Sequence, residues 1–198
     1  MQQEDSITRL INEFKKMPSI GLKTAQRLAF YILRLDNTEA RKLAEAIVDV
    51  KEKMKYCSIC GNITEEDPCL ICSNSHRKKE YLCIVEEPKD ILAFESTGAF
   101  KGVYHVLMGA ISPINGIGPA DLRIKELMQR LERESIQEVI LATSPNIEGD
   151  TTATYLAEQI KPMGIKITRI ARGLPMGSDI EYADKSSLTK SLECRIEV

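Results

Sequence analysis

The most constraining feature of this 198-residue chain is the stretch CSICGNITEEDPCLIC, which runs from Cys57 to Cys72. It holds two CxxC pairs in a chain that has only six cysteines. Two such pairs can bring four thiolates to one ion, and zinc accepts four sulfur ligands in a tetrahedron. The alternatives are disulfide bonds, which a reducing cytosol disfavours, and simple burial. We predict one structural Zn²⁺ per chain, bound by Cys57, Cys60, Cys69 and Cys72.

The remaining cysteines and the histidines show no metal-binding pattern. Cys83 and Cys194 lie in apolar segments typical of strands, and we expect both to be buried in a core. SLECRIEV, which contains Cys194, is the candidate for a last strand. His76 and His105 have no partners at ligand spacing, so neither is assigned to a metal site.

The ends and the composition of the chain predict a cytoplasmic protein. The first residues, MQQEDSITRL, include two acids and no apolar segment of the kind that a signal peptide needs. The sequence has no run of 18 apolar residues, so no membrane span is expected.

The first quarter of the chain is basic and helical. Residues 1–56 carry 11 Lys and Arg against 8 Asp and Glu, whereas residues 81–198 carry 13 against 17. The basic quarter is the better candidate for an acidic partner such as nucleic acid, although ordinary solvated helix faces would give the same bias. SITRLINEFKKM spaces its apolar residues as a helix does, and two further helical segments follow.

A Pro-x-x-Gly turn separates the first two helical segments in MPSIGLKTAQRLAFYIL. Gly21 permits a close approach of the backbone, and the N-terminus of the next helix offers free N–H groups to a phosphate. Lys23 and Arg27 are four residues apart and therefore share one helix face. The segment resembles the helix-hairpin-helix of DNA-repair proteins, which binds the DNA backbone without reading sequence; a plain helical hairpin is the alternative.

From Tyr81 onward, short apolar runs alternate with helical segments, which predicts a parallel α/β sheet. The runs are YLCIVE, GVYHVLMG, EVILATS and KITRIA. The connection from Gly109 to Ala120 is longer than a strand-to-helix turn needs, so we expect it to be a functional or interaction loop.

Polar residues follow two of these strands, where parallel sheets bind ligands. Glu86 ends the first strand, and SPNIEGD follows the third. The layout resembles the Toprim domain of topoisomerases, primases and nucleases, in which a glutamate and a D-x-D motif bind magnesium for phosphoryl transfer. Ser144 and Asn146 stand at the two aspartate positions here, and a hydroxyl and an amide are poor substitutes for carboxylates, which argues against Mg²⁺ binding.

The acidic residues that remain around this edge have three interpretations. Glu86, Glu148 and Asp150, together with the neutral Asn146, could form an ordinary strand-end cluster, a weak metal site or a partner-binding surface. The chain also lacks the G-x-x-x-x-G-K-[ST] phosphate loop, so we do not expect an ATPase.

The order of these modules resembles the RecR family of bacterial recombination mediators. YHVLMGAISPINGIGPADL and TRIARGLPMGSDIEYADKSSL are also typical of that family, although Met108 stands where a glycine is expected. The resemblance implies a non-enzymatic, sequence-independent DNA clamp: a ring-shaped homotetramer that acts with RecO, and in many bacteria RecF, to load RecA on single-stranded DNA at gaps. A nucleoid-associated location follows from that role. A Toprim-type nuclease or primase-like enzyme and a structural zinc adaptor are the alternatives.

The predicted fold class is a multi-module α+β protein in four parts. We expect a helix-hairpin-helix domain over residues 1–55 and a four-cysteine zinc module over 56–80. An α/β Toprim domain with a parallel, Rossmann-like sheet is expected over 81–172, and a C-terminal motif with a last strand over 173–198.

Overall fold

The computed structural model describes residues 5–195 of the chain, and these residues divide into two compact units between Met54 and Lys55. The eight α-helices in that range are α1 Ser6–Lys15, α2 Leu22–Arg34, α3 Asn37–Lys53, α4 Leu70–Ser73, α5 Pro88–Ser96, α6 Ile124–Arg133, α7 Ile147–Ile160 and α8 Lys185–Glu193. The six strands are β1 Lys55–Tyr56, β2 Ile63–Thr64, β3 Tyr81–Val85, β4 Val103–Val106, β5 Glu138–Leu141 and β6 Lys166–Arg169. The predicted α+β fold class is confirmed.

The first unit is entirely helical over its described residues. Asp5 caps α1 by accepting a hydrogen bond from the N–H of Thr8, and the apolar residues of α1 are half-buried against α2. The turn between them places Ser19 at φ +63°, a conformation that costs a non-glycine residue energy. The face of α2 that is buried carries Ala25 and Ala29, whose small side chains permit close helix packing.

The second unit is built on a parallel sheet in the order β4-β3-β5-β6. Alternate residues of each strand point to opposite faces, so one face packs on α6 and α7 and the other on α5. β3 lies inside the sheet and is almost wholly buried, which explains its unbroken apolar run. All four predicted runs form strands, and the carboxyl ends of β3 and β5 meet at one edge.

The end of the chain differs from expectation. Ser191 to Glu193 complete the last turn of α8 rather than a strand, and Asp184 caps the start of this helix by accepting from the N–H of Ser187. Cys194 follows α8 and is exposed, so the prediction that it is buried is wrong. Ile196 to Val198, the rest of the predicted strand, lie outside the described residues.

Among the helices formed by residues 5–195, none combines the length and the apolar character required to cross a membrane.

Candidate functional site

The four predicted metal ligands converge on one point. The Sγ atoms of Cys57, Cys60, Cys69 and Cys72 all lie within 4.8 Å of one another, and all four residues are buried. Among residues 5–195, this is the only group of three or more His, Cys, Asp or Glu side chains gathered closely enough to hold a metal ion. The short β1–β2 ribbon carries the first pair, and α4 begins directly after Cys69.

Local backbone geometry produces the first knuckle. The N–H of Gly61 donates to the carbonyl of Cys57 across 2.9 Å, and the N–H of Cys57 donates to the carbonyl of Asn62 across 2.7 Å. Gly61 sits at φ +78°, which a side chain would strain. Backbone N–H groups also donate to the sulfurs of Cys57 and Cys60, a contact that stabilises thiolates.

The close approach of the four sulfurs shifts the pKa values of the cluster in both directions. A hydrogen bond with Cys72 lowers the pKa of Cys60. Burial raises the pKa of Cys69, and the hydrogen bond with Cys60 together with burial raises that of Cys72. Four adjacent buried thiolates repel one another unless a metal ion neutralises them. The donor set of four sulfurs fits zinc and leaves no position for a catalytic water.

The metal module is packed directly on the sheet. The N–H of Val106, at the end of the edge strand β4, donates to the carbonyl of Cys60 across 2.8 Å. Ile71 of α4 packs against both the cysteine cluster and the core under α5. The Arg123 guanidinium lies so close to Gly61 that any side chain at Gly61 would collide with it. Sequence reasoning missed this contact, since nothing in the pattern around Arg123 marks it.

The helix-hairpin-helix residues lie on one exposed surface. Lys23 and Arg27 are both exposed on α2, one turn apart. Neither forms an ion pair with any residue of the described part of the chain. Both charges therefore remain available to an anionic partner.

The start of α2 has free backbone donors. Gly21 is its N-cap and offers no side chain to accept from the first-turn N–H groups. Its φ of −82° is accessible to any residue, and a Cβ there would meet nothing within 4 Å. Intramolecular packing therefore does not account for glycine at this position, and open space above an uncapped helix start suits a phosphate.

The carboxyl ends of β3 and β5 meet at one edge of the sheet, which we call the Toprim edge. Its polar groups bond one another instead of converging on a metal ion. Ser144 donates to both oxygens of Glu86, from its N–H to Oε1 across 2.8 Å and from Oγ to Oε2 across 2.7 Å. Asn146 is the N-cap of α7, and its Oδ1 accepts from the N–H of Gly149 across 2.7 Å. Of the two residues that stand at aspartate positions, Ser144 thus ties the β5–α7 turn to the end of β3, and Asn146 caps α7.

The other two acidic residues at this edge also have internal partners. Glu148 accepts a hydrogen bond from Ser112 Oγ across 2.7 Å, which fastens the long loop after β4 to α7. Asp150 accepts from Arg169 Nη2 across 2.7 Å and is bound by both terminal nitrogens of Arg172. The hydrogen bond from Arg172 is the main cause that lowers the pKa of Asp150 to about 2.

Arg169 and Arg172 were missed by the sequence reasoning. Their signal was present, because Arg169 lies near the end of the predicted run KITRIA and Arg172 follows that run directly, at the same carboxyl edge. The two histidines differ in their surroundings. His105 is buried and bonds the carbonyl of Arg123 across 2.8 Å, while His76 is exposed.

Comparison with protein-family models covers nearly the whole chain. Residues 7–51 match the model of the RecR helix-hairpin-helix, and residues 54–74 match that of the RecR zinc finger domain with four cysteines. Residues 80–171 match the Toprim domain, and residues 173–195 match the RecR C-terminal model. The matches follow one another without overlap and coincide with the helical unit, the cysteine cluster, the parallel sheet and the segment after it. The resemblance noted from the sequence is therefore confirmed: this chain belongs to the RecR family.

Proposed function

We propose that this protein is a non-enzymatic, sequence-independent DNA clamp that mediates recombinational repair. Membership of the RecR family supports a role in recombination and repair. In the proposed mechanism the protein assembles into a ring-shaped tetramer around DNA in the cytoplasm. There it acts with RecO, and with RecF where present, to help load RecA on single-stranded DNA at gaps.

One observation carries the DNA-binding part of the proposal. Lys23 and Arg27 stand free of ion pairs within residues 5–195, beside the uncapped start of α2 at Gly21. Charges that are not neutralised internally can displace counterions from DNA, so the binding should depend steeply on salt and little on base sequence. Each phosphate contact should contribute about one unit to the salt slope.

An exposed apolar stripe supports self-association. Leu43, Ile47 and Val50 follow one another at spacings of four and three residues along α3, and their exposed fractions are 42%, 55% and 61%. α3 has no buried residue at all, although its pattern is that of an amphipathic helix. A second copy of this chain is the occupant that a symmetric ring would place on such a stripe.

The contacts at the Toprim edge support a role other than catalysis. Ser144 and Asn146 direct their polar atoms to Glu86 and to the cap of α7, so the motif acts as a structural tie. A neutral hydroxyl and amide also attract magnesium less than two aspartates do. We propose that the acidic edge, which includes Glu86 and Glu148, is instead a docking face for a basic partner protein.

The zinc ion is proposed to be structural. Cys57, Cys60, Cys69 and Cys72 close the coordination shell, and the module has too small an apolar core to fold on its own. Since Cys60 is hydrogen-bonded to the edge strand β4, the metal would also fix that edge of the sheet.

The deciding experiment is retention on closed circular DNA. The protein is loaded on a covalently closed circle with magnesium, washed in high salt, and compared with the same DNA after linearisation. Retention on the circle and loss from the linear form are the expected result, because a closed ring leaves DNA only through an end. Loss from both forms would contradict encirclement.

Two controls sharpen the result. Lys23→Ala combined with Arg27→Ala should abolish loading while leaving the protein folded, since both side chains are exposed. Nicked circles in the wild-type lanes would show a Toprim-type nuclease and contradict the non-enzymatic assignment.

A further inference from the structure

We propose that the outer surface of α2 is a base-stacking surface for single-stranded DNA, formed by Phe30 and Tyr31 beside a stripe of basic residues. The proposal rests on the proposed DNA-binding function and names the form of DNA that this surface prefers. We call this set of residues, Lys23, Arg27, Phe30, Tyr31 and Arg34, the α2 surface.

The periodicity of the helix interleaves the charges with the rings. At 3.6 residues per turn, Lys23, Arg27 and Arg34 lie within an arc of about 40° around the helix axis. Phe30 falls at one margin of that arc and Tyr31 at the other. A nucleic-acid strand that follows the basic stripe therefore has an aromatic ring on each side of its path.

Both aromatic side chains are more than half exposed to solvent. Phe30 is 52% and Tyr31 is 56% exposed, whereas the opposite face of the helix is closed by Ala25 and Ala29. Neither Phe30 nor Tyr31 pairs with another aromatic ring among the residues that the structure describes. About half of each side chain is thus open to a partner.

The side chains of the α2 surface are neighbours around one open space, and Thr24, Gln26 and Leu28 of the same helix border it too. Thr24 and Gln26 add hydrogen-bonding groups, and no acidic residue borders this space. Arg34, like Lys23 and Arg27, forms no ion pair within the described chain. The α2 surface is therefore positively charged along its length.

This combination fits a single strand better than a duplex. Proteins that bind single strands without sequence preference combine a basic groove with aromatic rings on which unpaired bases stack. In a duplex the bases are stacked on one another, so the rings would find no exposed base face. The basic residues should bind either form through the phosphates, and the rings should add affinity for single strands alone.

The test compares single-stranded and double-stranded DNA of equal length, measured with fluorescent oligo(dT) and a matched duplex over a range of salt. Phe30→Leu and Tyr31→Leu keep apolar bulk and remove the ring. Each substitution should weaken oligo(dT) binding by about 5- to 100-fold, leave duplex binding unchanged and leave the salt slope unchanged. Tyr31→Trp should retain binding, and its fluorescence should be quenched by oligo(dT).

A matched control is Tyr56→Leu, which removes an exposed tyrosine from the other unit and should change neither affinity. Equal loss of single-strand and duplex binding, or no loss, in the Phe30 and Tyr31 variants would overturn the stacking surface. A changed oligomeric mass by sedimentation without lost selectivity would also overturn it, since the rings would then belong to a subunit contact. Failure of the proposed DNA-binding function would give a different result. In that case the wild type and the variant with Lys23→Ala and Arg27→Ala would bind DNA equally weakly.

Discussion

Ser144 holds the carboxylate of Glu86 with two hydrogen bonds, one from its N–H across 2.8 Å and one from its Oγ across 2.7 Å. This contact joins the end of β3 to the turn that leads into α7. The backbone is so close here that a Cβ on Gly149 would collide with the carbonyl oxygen of Ser144. A residue that stands at a metal-ligand position of Toprim enzymes thus closes the same edge by donating hydrogen bonds to the carboxylate.

Replacing that tie with carboxylates should create a dependence on magnesium. Ser144→Asp combined with Asn146→Asp places negative charge beside Glu86 and removes the hydroxyl donor, so we expect a loss of about 1–3 kcal/mol in the free energy of unfolding in EDTA. Magnesium should recover part of that loss, because it bridges carboxylates. Thermal unfolding in EDTA and in 5–10 mM magnesium, roughly the range that saturates weak sites, measures both effects.

The matched control is Ser144→Ala, which removes the same hydroxyl donor without adding charge and keeps the cap of α7 at Asn146. The control should be destabilised to the same degree in EDTA and in magnesium. Any change in its stability between the two conditions measures the effect of ionic strength alone. Magnesium stabilisation of the wild type to the same degree as the aspartate variant would contradict this account of the edge.

The fold was largely predictable because its elements have strong local signals. β3 and β5 are short apolar runs between helical segments, and spacing alone marks Cys57 and Cys72 as parts of one cluster. The contacts between elements were not predictable, because they depend on three-dimensional proximity. One such contact brings Arg123 against Gly61, which lies 62 positions earlier in the chain. Another joins Arg172 to Asp150, which lies 22 positions earlier. No periodicity in the sequence indicates either contact.

Two departures have physical reasons that are visible only in the structure. Met108 stands where the family pattern has a glycine, and it adopts φ +66°, the conformation for which glycine is suited. Its side chain compensates by packing against the core under α5. Cys194 lies in an apolar pattern that suggested a strand, but the cap at Asp184 starts a helix whose end leaves this cysteine exposed.

The link between Asp150 and Arg172 should hold the C-terminal segment on the Toprim unit. Asp150→Asn removes the charge that both Arg169 and Arg172 bind, and we expect a loss of about 1 kcal/mol, since Asp150 is partly exposed. Hydrogen exchange over residues 173–195 should become faster while exchange in β3 stays the same. Asp179→Asn is the control, because it removes an equal charge from the same segment at an exposed position.

The depressed pKa of Asp150 sets the acid limit of this link. Since that pKa is about 2, below the ordinary value for aspartate, the stabilisation is fully present above about pH 4 and is lost as the pH falls toward 2. Wild type and Asp150→Asn should therefore converge in stability below that window. Unchanged exchange in residues 173–195 of the variant at neutral pH would contradict the tie.

The six cysteines should react in three classes with a thiol reagent such as Ellman's reagent. In zinc-loaded protein only Cys194 should react quickly, because it is exposed. Burial raises the pKa of Cys83 to about 12, so it should react only after unfolding. A chelator should release one zinc ion per chain and expose four further thiols, those of the metal cluster.

Single substitutions assign these classes. Cys194→Ser should abolish the fast reaction and leave zinc content unchanged, whereas Cys72→Ser should lower both zinc content and thermal stability. Four thiols that react at the same rate with and without a chelator would contradict the proposed zinc site.

His105 should make the stability of the protein fall in mild acid. Burial lowers its pKa to about 4, and the charges of Arg130 and Arg123 act in the same direction. The ordinary histidine pKa is about 6.5, so between pH 6.5 and 4 the unfolded chain binds a proton that the folded protein does not. The free energy of unfolding should drop by up to about 3 kcal/mol across that window from this residue.

The measurement is urea unfolding at several pH values between 7 and 4.5 with zinc in excess, for wild type and His105→Gln. Glutamine can still donate to the carbonyl of Arg123, which the Nε2–H of His105 does in the native protein, but it does not titrate. The quantity compared is the slope of the free energy of unfolding against pH, since a constant difference between the two proteins reflects packing. His105→Asn replaces His105→Gln if the glutamine variant does not fold. His76→Gln removes the exposed histidine, serves as the matched control and should keep the wild-type slope. Parallel curves for wild type and His105→Gln would show that the acid sensitivity arises from the carboxylates or the zinc ligands instead.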